Sequence, residues 1–364
     1  MLYYVILTQV CGLFCRYCMN KPDPSIQPLY IDYDIDILKE FISKDREPII
    51  CFYGGDPLMA PDLIMNIMDG IKAHKYVLQT NGLNIDKLPD KYIRRLDTIL
   101  ISIDGREEVT DYNRGKGIYR RTLEAVRYIW DAGFKGDLVA RMTVSGASSI
   151  YEDVMHLINL GDNLFTHIHW QLDVLWDIPP AQRYKNFSGW IQENYIPGLI
   201  RLIDWWVRNL EGGTVYGIAP FKALTYSMLT GYREATLWCG SGIDAFAITT
   251  DGRIIACPIA PEYRFNQVGT IFDSEPSDIH RSIEIGVPCK SCELYRYCGG
   301  RCLFSNKTMY WGLSGFREVC RTVESLINGL RAKLERIREL IDNKVISIND
   351  LKYPPYLNSV EVIP

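Results

Sequence analysis

The sequence predicts an α/β fold. A partial (β/α)6 TIM-like barrel is followed by a cysteine-rich C-terminal domain. Three observations carry this. Apolar strand-like runs alternate with amphipathic helical runs. The Gly- and Cys-bearing loops fall at the C-terminal ends of those strands, where barrels keep their reactive groups. Seven of the 11 cysteines lie between residues 239 and 320, a second compositional region. With 47% hydrophobic and 23% charged residues the chain fills a sizeable core, which excludes a disordered protein. A net charge of −4 argues against a nucleic-acid partner. No run approaches the ~18 apolar residues of a membrane helix. Met1 to Leu7 runs directly into Thr8-Gln9, with no basic segment and no cleavage site, so no membrane association and a cytoplasmic location are expected.

The elements follow in order. Strands are expected near 2–10, 48–53, 75–81, 98–104, 138–145 and 167–175. The first four are nearly continuous apolar runs, as strands covered on both faces are. Helices are expected near 34–44, 61–73, 86–96, 118–132 and 151–160; Ile35, Leu38 and Ile42, or Leu123, Val126, Tyr128 and Ile129, keep helical spacing. Residues 1–178 make up this barrel. Residues 179–235 form a bridging helical segment, opened by Pro179-Pro180 and interrupted by Pro197-Gly198, with Trp190, Trp205 and Trp206 as core. Residues 236–321 are the cysteine-rich domain, and 322–364 a C-terminal helix and tail. That helix is expected over about 317–343, with Val323, Leu326, Ile327, Leu330, Leu334, Ile337 and Ile341 as a stripe that docks onto the core. The tail from Val345 to Pro364 carries no readable pattern.

Eleven cysteines cannot all pair, and clustered cysteines in a reducing compartment indicate zinc or iron–sulfur clusters. Cys51, within Pro48 to Tyr53, reads as a core residue of a buried strand. With five histidines, nearly all far from the cysteines, a mixed Cys/His zinc site is not indicated. Cys11, Cys15 and Cys18 form a C-x3-C-x2-C loop after the first strand. Three thiolates hold three irons of a cubane and leave the fourth without a protein ligand, an open position of the kind reactive sites keep.

This loop, with Tyr17 before its third cysteine, resembles that of the radical S-adenosylmethionine superfamily. The resemblance implies a 4Fe–4S cluster on Cys11, Cys15 and Cys18, with S-adenosylmethionine chelating the open iron. One electron then splits its S–C5′ bond, and the 5′-deoxyadenosyl radical abstracts a hydrogen atom from the substrate. Gly54-Gly55-Asp56-Pro57, preceded by Tyr53, resembles the family's GGEP turn with Asp for Glu; its carbonyls would accept from the methionine ammonium. Gln79-Thr80-Asn81-Gly82 and Ser102-Ile103-Asp104-Gly105 resemble segments lining the cofactor cleft, which assigns Thr80, Asn81, Ser102 and Asp104 to it. Arg141, and second to it Arg114, is the candidate partner of the methionine carboxylate.

The C-terminal pattern is Cys239-x12-Gly252-x4-Cys257, then Cys289-x2-Cys292-x5-Cys298-x3-Cys302, then Cys320. It resembles the SPASM extension of these enzymes, which implies two auxiliary 4Fe–4S clusters and three clusters in all. Cys289, Cys292, Cys298 and Cys320 would close one. Cys239, Cys257 and Cys302 would hold the other with its fourth position unfilled, because Gly240 to Ala245 lacks the additional cysteine that relatives carry. That iron is open to a substrate thiolate, a water or a distant side chain. An Asp-Gly hairpin over Ala247 to Ala256 would bring Cys239 and Cys257 together.

The resemblance implies oxidative modification or crosslinking of a side chain in a ribosomally made peptide or protein, with a ferredoxin- or flavodoxin-type one-electron donor. Many such relatives carry a leader-recognition domain ahead of the barrel. Here the barrel begins within a few residues of Met1, so a separate leader-recognition protein is expected. Formylglycine formation, as in anaerobic sulfatase maturases, is an alternative; there an Asp follows the second cysteine of the extension, where this chain has Pro258. Asp173, Asp177 and Asp251 are candidates for the base. Radical dehydrogenation or rearrangement of a small molecule is a further alternative, and a zinc-binding scaffold is the non-enzymatic one.

Overall fold

Six apolar or aromatic residues and a threonine, Leu2–Thr8, form β1, and every one is buried. Their side chains alternate between two cores. Tyr3, Val5 and Leu7 face the helices, while Leu2, Tyr4 and Ile6 face the barrel interior beside Cys51, Val77, Leu100 and Val139. That two-sided burial follows from a parallel sheet covered on both faces. The computed structural model describes residues 1–18, 22–161, 164–173, 186–232, 237–353 and 357–364.

The expected strands form as β1, β2 (Ile49–Gly54), β3 (Lys75–Thr80), β4 (Thr98–Ser102), β5 (Asp137–Val144) and β6 (His167–Leu172). They pair in parallel, each with its sequence neighbour, and curl into the partial barrel. The covering helices are α1 (Ile35–Ser43), α2 (Pro61–Gly70), α3 (Asp90–Ile93), α4 (Glu107–Arg114), α5 (Ile118–Asp131) and α6 (Ile150–Ile158). Asp34 caps α1 by accepting from the Asp36 N–H, and Leu38, Phe41 and Ile42 turn inward. Two expectations change. The helix near 86–96 is one short 3-10 turn, Ile85–Lys87, and the single turn α3, because Pro89 interrupts it. Helix α4 was not legible in the sequence; its polar composition hides a stripe of Val109, Thr110, Asn113 and Arg114 that is buried.

The bridging segment is helical where described. A turn α7 (Phe187–Trp190) passes through a π turn at Ile191–Tyr195 into α8 (Ile196–Glu211). The π turn precedes Pro197, whose ring removes one N–H from the ladder. Trp206 is fully buried and Trp190 and Trp205 are half-buried, as core residues. Helix α9 (Ala219–Thr230) completes the layer.

The cysteine-rich region is not hung on the barrel; it extends the same sheet. The predicted hairpin forms as β7 (Ala245–Ile248) and β8 (Arg253–Ile255), with β9 (Gln267–Thr270) beyond. Strand β7 pairs in parallel with β1, Leu2 opposite Ala245 and Val5 opposite Ile248. The sheet therefore has nine strands among the described residues, in the order β6-β5-β4-β3-β2-β1-β7-β8-β9.

The expected helix over 317–343 is two helices, α10 (Gly312–Arg331) and α11 (Leu334–Asp342), parted at Ala332–Lys333. Both dock on α8 and α9 through Val323, Leu326, Ile327, Leu330, Ile337 and Leu340. The tail does what its sequence could not reveal: it enters the barrel. Tyr353 stacks on His167 at 3.7 Å and donates to Asp137, and Val360 joins the inward-facing core. Leu357 and Ser359 hold φ of +63° and +69°, a backbone state that persists where the surroundings enforce it.

Candidate cysteine centres and the cofactor cleft

The first cysteine loop leaves β1 at the C-terminal end of the barrel. Its grip is a buried polar clamp. Asp104, fully buried, accepts from the Tyr17 hydroxyl at 2.8 Å, from Arg114 through two nitrogens at 2.9 and 2.7 Å, and from the Thr143 N–H at 2.9 Å. Arg114 lies 5.4 Å from the Tyr17 ring centre. Burial disfavours the Arg114 charge, but Asp104 raises it above the ordinary guanidinium range. The loop is fixed a second time through Arg16, whose backbone N–H donates to the Asn113 carbonyl at 2.8 Å. Cys11 and Cys15 are partly buried and Cys18 is exposed, so three thiols are presented on one open loop. Burial raises Cys11 and takes Cys15 to about 11, the latter opposed by Arg114. The Asn81 amide donates to the Cys11 sulfur at 3.6 Å. This donor set fits a cubane on three thiolates.

Thr80, Asn81 and Asp56 are brought together; the Thr80 and Asp56 side chains face inward, while the Asn81 amide reaches the Cys11 sulfur. Asp56 accepts from the Thr80 hydroxyl at 2.9 Å, from the Asn81 N–H at 2.9 Å and from the Leu58 N–H at 2.9 Å. Burial raises its carboxyl above the usual range. The GGDP acid therefore ties its turn to the QTNG turn. The glycines serve the chain's own backbone. A Cβ on Gly54 would stand 2.2 Å from the Thr8 carbonyl oxygen, and one on Gly55 2.3 Å from that of Gln9. Ser102 sits opposite Arg141 in the β4–β5 register. Arg141 turns into the barrel, 3.5 Å from Glu361 and 3.4 Å from His169 Nδ1. Arg114 is committed to Asp104. Of the two guanidinium candidates, Arg141 thus has the looser partner.

Between the GGDP turn and Pro258 to Tyr263 lies a cleft of about 160 Å³, lined by Gln9, Tyr53, Gly54, Gly55, Glu262 and Phe304 among others. Glu262 and Tyr263 were not anticipated, since no motif marks them. Asp173 follows β6 at the same end of the barrel and is buried. Asp251 stays in its hairpin turn and pairs with Arg253 at 2.7 Å. Asp177 lies outside the described residues.

Cys289, Cys292, Cys298, Cys302 and Cys320 line one cavity of about 200 Å³, with Trp311, Phe316 and Val323 as its apolar wall. The charge of Cys302 acts on Cys289 there and also on Cys239 and Cys257. The predicted nearness of Cys239 and Cys257 holds: the Gly242 N–H donates to the Ala256 carbonyl at 3.1 Å. Burial pushes Cys239 and Cys320 up to about 12 and Cys289 to about 11. Cys51 lies apart on β2, fully buried among inward-facing apolar side chains. Among the described residues no three His, Cys, Asp or Glu side chains gather as they would around a single ion. A cubane instead takes thiolates on separate irons.

Residues 5–160 match the model of the radical SAM superfamily. The cysteine-type anaerobic sulfatase-maturating enzyme of Clostridium novyi (strain NT) is 22% identical over 322 residues, covering 80% of this chain and 84% of that one. The mycofactocin maturase MftC of Mycolicibacterium smegmatis is 24% identical over 333 residues, covering 82% and 76%. Among solved structures, native anSMEcpe with bound AdoMet and the Cp18Cys peptide superposes with a TM-score of 0.71 at 18% identity, over 93% of this chain and 99% of that one. No helix among the described residues is long and apolar enough to cross a membrane. The family implies a 4Fe–4S cluster and S-adenosylmethionine. The chain carries a radical SAM domain over residues 5–160, built as a partial barrel and followed by a C-terminal extension.

Proposed function

We propose that this chain is an enzyme that cleaves S-adenosylmethionine reductively and oxidatively modifies or crosslinks a side chain of a ribosomally made peptide or protein. The observation that carries the reading is the C-x3-C-x2-C loop at the mouth of the barrel, clamped by Asp104 and Arg114 with three thiols presented. A reduced cluster with S-adenosylmethionine supplies hydrogen-atom abstraction; the residues around it position and exclude. Tyr17, Asp104 and Arg114 hold the loop. Asn81 donates to the Cys11 sulfur. Thr80 and Asp56 fix the GGDP turn, and Tyr53, Ser102 and Arg141 complete the cofactor wall. The substrate side chain enters the cleft at Pro258 to Tyr263. Asp173 and Glu262 are the described carboxylates at that end able to take a proton.

The extension is read as a SPASM domain from residue 236, with one auxiliary cluster on Cys289, Cys292, Cys298 and Cys320 and another on Cys239, Cys257 and Cys302. Held by those thiolates, such clusters would supply an acceptor for the second electron that oxidation of a substrate radical releases. The peptide class rests on the likeness to two maturases and on a peptide-bound neighbour. Anaerobic reconstitution is expected to give about twelve irons per chain. Reduction with S-adenosylmethionine is expected to yield 5′-deoxyadenosine. A preparation holding zinc and no iron would sink the reading. Formylglycine formation stands as a second reading, favoured by the near-complete superposition on anSMEcpe. Incubation with a cysteine-containing sulfatase peptide decides it: net loss of two hydrogens and the sulfur from that cysteine with gain of one oxygen from water, giving an aldehyde, supports it, and an unmodified peptide removes it.

A further inference from the structure

Arg114 and Arg141 are held by their anions in very different ways. Asp104 grips Arg114 through two nitrogens at 2.9 and 2.7 Å, the lengths of good charge-assisted bonds. Arg141 is also mostly enclosed, its side chain 18% exposed, yet its contacts are long. They are 3.5 Å from Nη2 to Glu361 Oε2 and 3.4 Å from Nη1 to His169 Nδ1. The Glu361 carbonyl can only accept, so His169 Nε2, 2.5 Å away, carries the ring proton and Nδ1 keeps a lone pair for Arg141. That ring supplies no negative charge. Among the described residues Glu361 is the only carboxylate that forms an ion pair with Arg141.

The segment 357–364 brings Glu361 to this place and divides it into a fixed part and a loose part. The backbone is fixed. Ser359 donates to Gln79 at 3.3 Å, and Gln171 donates to the carbonyls of Glu361 at 3.0 Å and Ile363 at 3.2 Å. Arg301 donates to the Pro364 carbonyl at 2.7 Å. Val360 and Val362, on either side, are 3% and 0% exposed. The Glu361 side chain is 34% exposed and meets Arg141 through one oxygen. It can turn into water without disturbing the backbone that carries it. The planar fork of Arg141 can then take a carboxylate through two parallel bonds, which one contact at 3.5 Å does not give it.

We propose that Glu361 sets the affinity of the cofactor wall: it is an internal carboxylate that holds Arg141 weakly and yields it to the carboxylate of S-adenosylmethionine. The inference rests on the reading of Arg141 as part of that wall, beside Ser102 in the β4–β5 register. Binding then displaces Glu361, and the strength of the internal pair is subtracted from the affinity for the cofactor. A partly exposed pair is weak, so the subtraction amounts to about twofold to fivefold in Kd.

The test uses two probes on anaerobically reconstituted full-length protein, with binding read by equilibrium dialysis. S-adenosylhomocysteine carries the amino-acid end and yields no radical; 5′-methylthioadenosine lacks that end. Glu361→Gln is expected to tighten S-adenosylhomocysteine about twofold to fivefold and to leave 5′-methylthioadenosine unchanged. Glu361→Ala should repeat the tightening, which separates loss of the charge from any contact of the new amide. Arg141→Gln is expected to weaken S-adenosylhomocysteine about tenfold or more, and Glu361→Gln added to it should change nothing further. Arg141→Lys, which keeps the charge and loses the fork, should weaken it as well and serves where Arg141→Gln does not fold. Unchanged or weaker binding in Glu361→Gln, with the Arg141 variants still weakened, would overturn the assignment of Glu361 alone. An equal shift for 5′-methylthioadenosine would do the same. Unchanged affinity in the Arg141 variants would overturn the placement of Arg141 and this inference with it. Wild-type protein that holds its iron and binds neither probe would remove the proposed function as well.

Discussion

The two cysteine regions are built on opposite plans. At the N-terminus three thiols sit on eight consecutive residues, partly or fully exposed, and their positions come from one buried clamp beneath the loop. In the extension seven thiols come from residues up to 81 positions apart, Cys239 to Cys320, and their burial is mixed: Cys257 and Cys289 are buried, Cys239, Cys298 and Cys302 partly so, and Cys292 and Cys320 are exposed. A loop of consecutive residues takes its order from one polar anchor beneath it. A dispersed set takes its order from the fold that brings distant segments to one cavity wall.

Removing one thiolate from each region should break this contrast most sharply. Cys15→Ala is expected to abolish 5′-deoxyadenosine formation, with loss of about four irons and little change in unfolding. Cys298→Ala is expected to lose irons and also lower the unfolding midpoint, because that thiol lines a cavity whose wall joins segments distant in sequence. Equal stability losses in the two variants would erase the distinction. Arg114→Ala comes next. It strands a fully buried carboxylate, and about 3–5 kcal/mol of stability should go, measured by denaturant unfolding. Tyr17→Phe removes one hydrogen bond to that same charged group and should cost about 1.5–3 kcal/mol, with slower cofactor cleavage.

A pH series sharpens the view of the barrel interior. Burial, and then Arg141, lowers His169 from 6.5 to about 3. Between those values the unfolded chain binds the proton and the fold does not. Stability should therefore fall as pH drops below 6.5, by up to about 1.4 kcal/mol per pH unit, and His169→Gln should flatten that slope. The smallest effect is expected at Lys290, between two cluster cysteines but half exposed and paired with Glu284 at 3.0 Å. Lys290→Ala should change stability by less than about 1 kcal/mol.

Local pattern made most of the barrel readable. The six strands, the cysteine loop and the Asp-Gly hairpin announce themselves through apolar runs, spacing and turn chemistry. Three features were beyond reach for a common reason: they are non-local pairings. The insertion of β7 beside β1 depends on two apolar runs more than two hundred residues apart, and either alone would suit many neighbours. The Asp104 clamp unites Tyr17, Arg114 and Thr143 from separate elements, so the sequence suggests cleft-lining for an acid that is fully buried. The tail has neither helical nor strand period, because its place is fixed by side chains of β3, β5 and β6 and not by its own repeat. The split at Ala332–Lys333 interrupts a stripe whose period runs through it unbroken, so periodicity alone reads as one helix.

The pairing of β7 with β1 has a consequence for how the molecule behaves over time. One strand is shared mechanically by both halves: its end launches the first cysteine loop, and its flank carries the hairpin that precedes Cys257. The two halves cannot hinge apart without tearing a ladder of hydrogen bonds. The separation between the two cysteine regions is thus set once, when the chain folds.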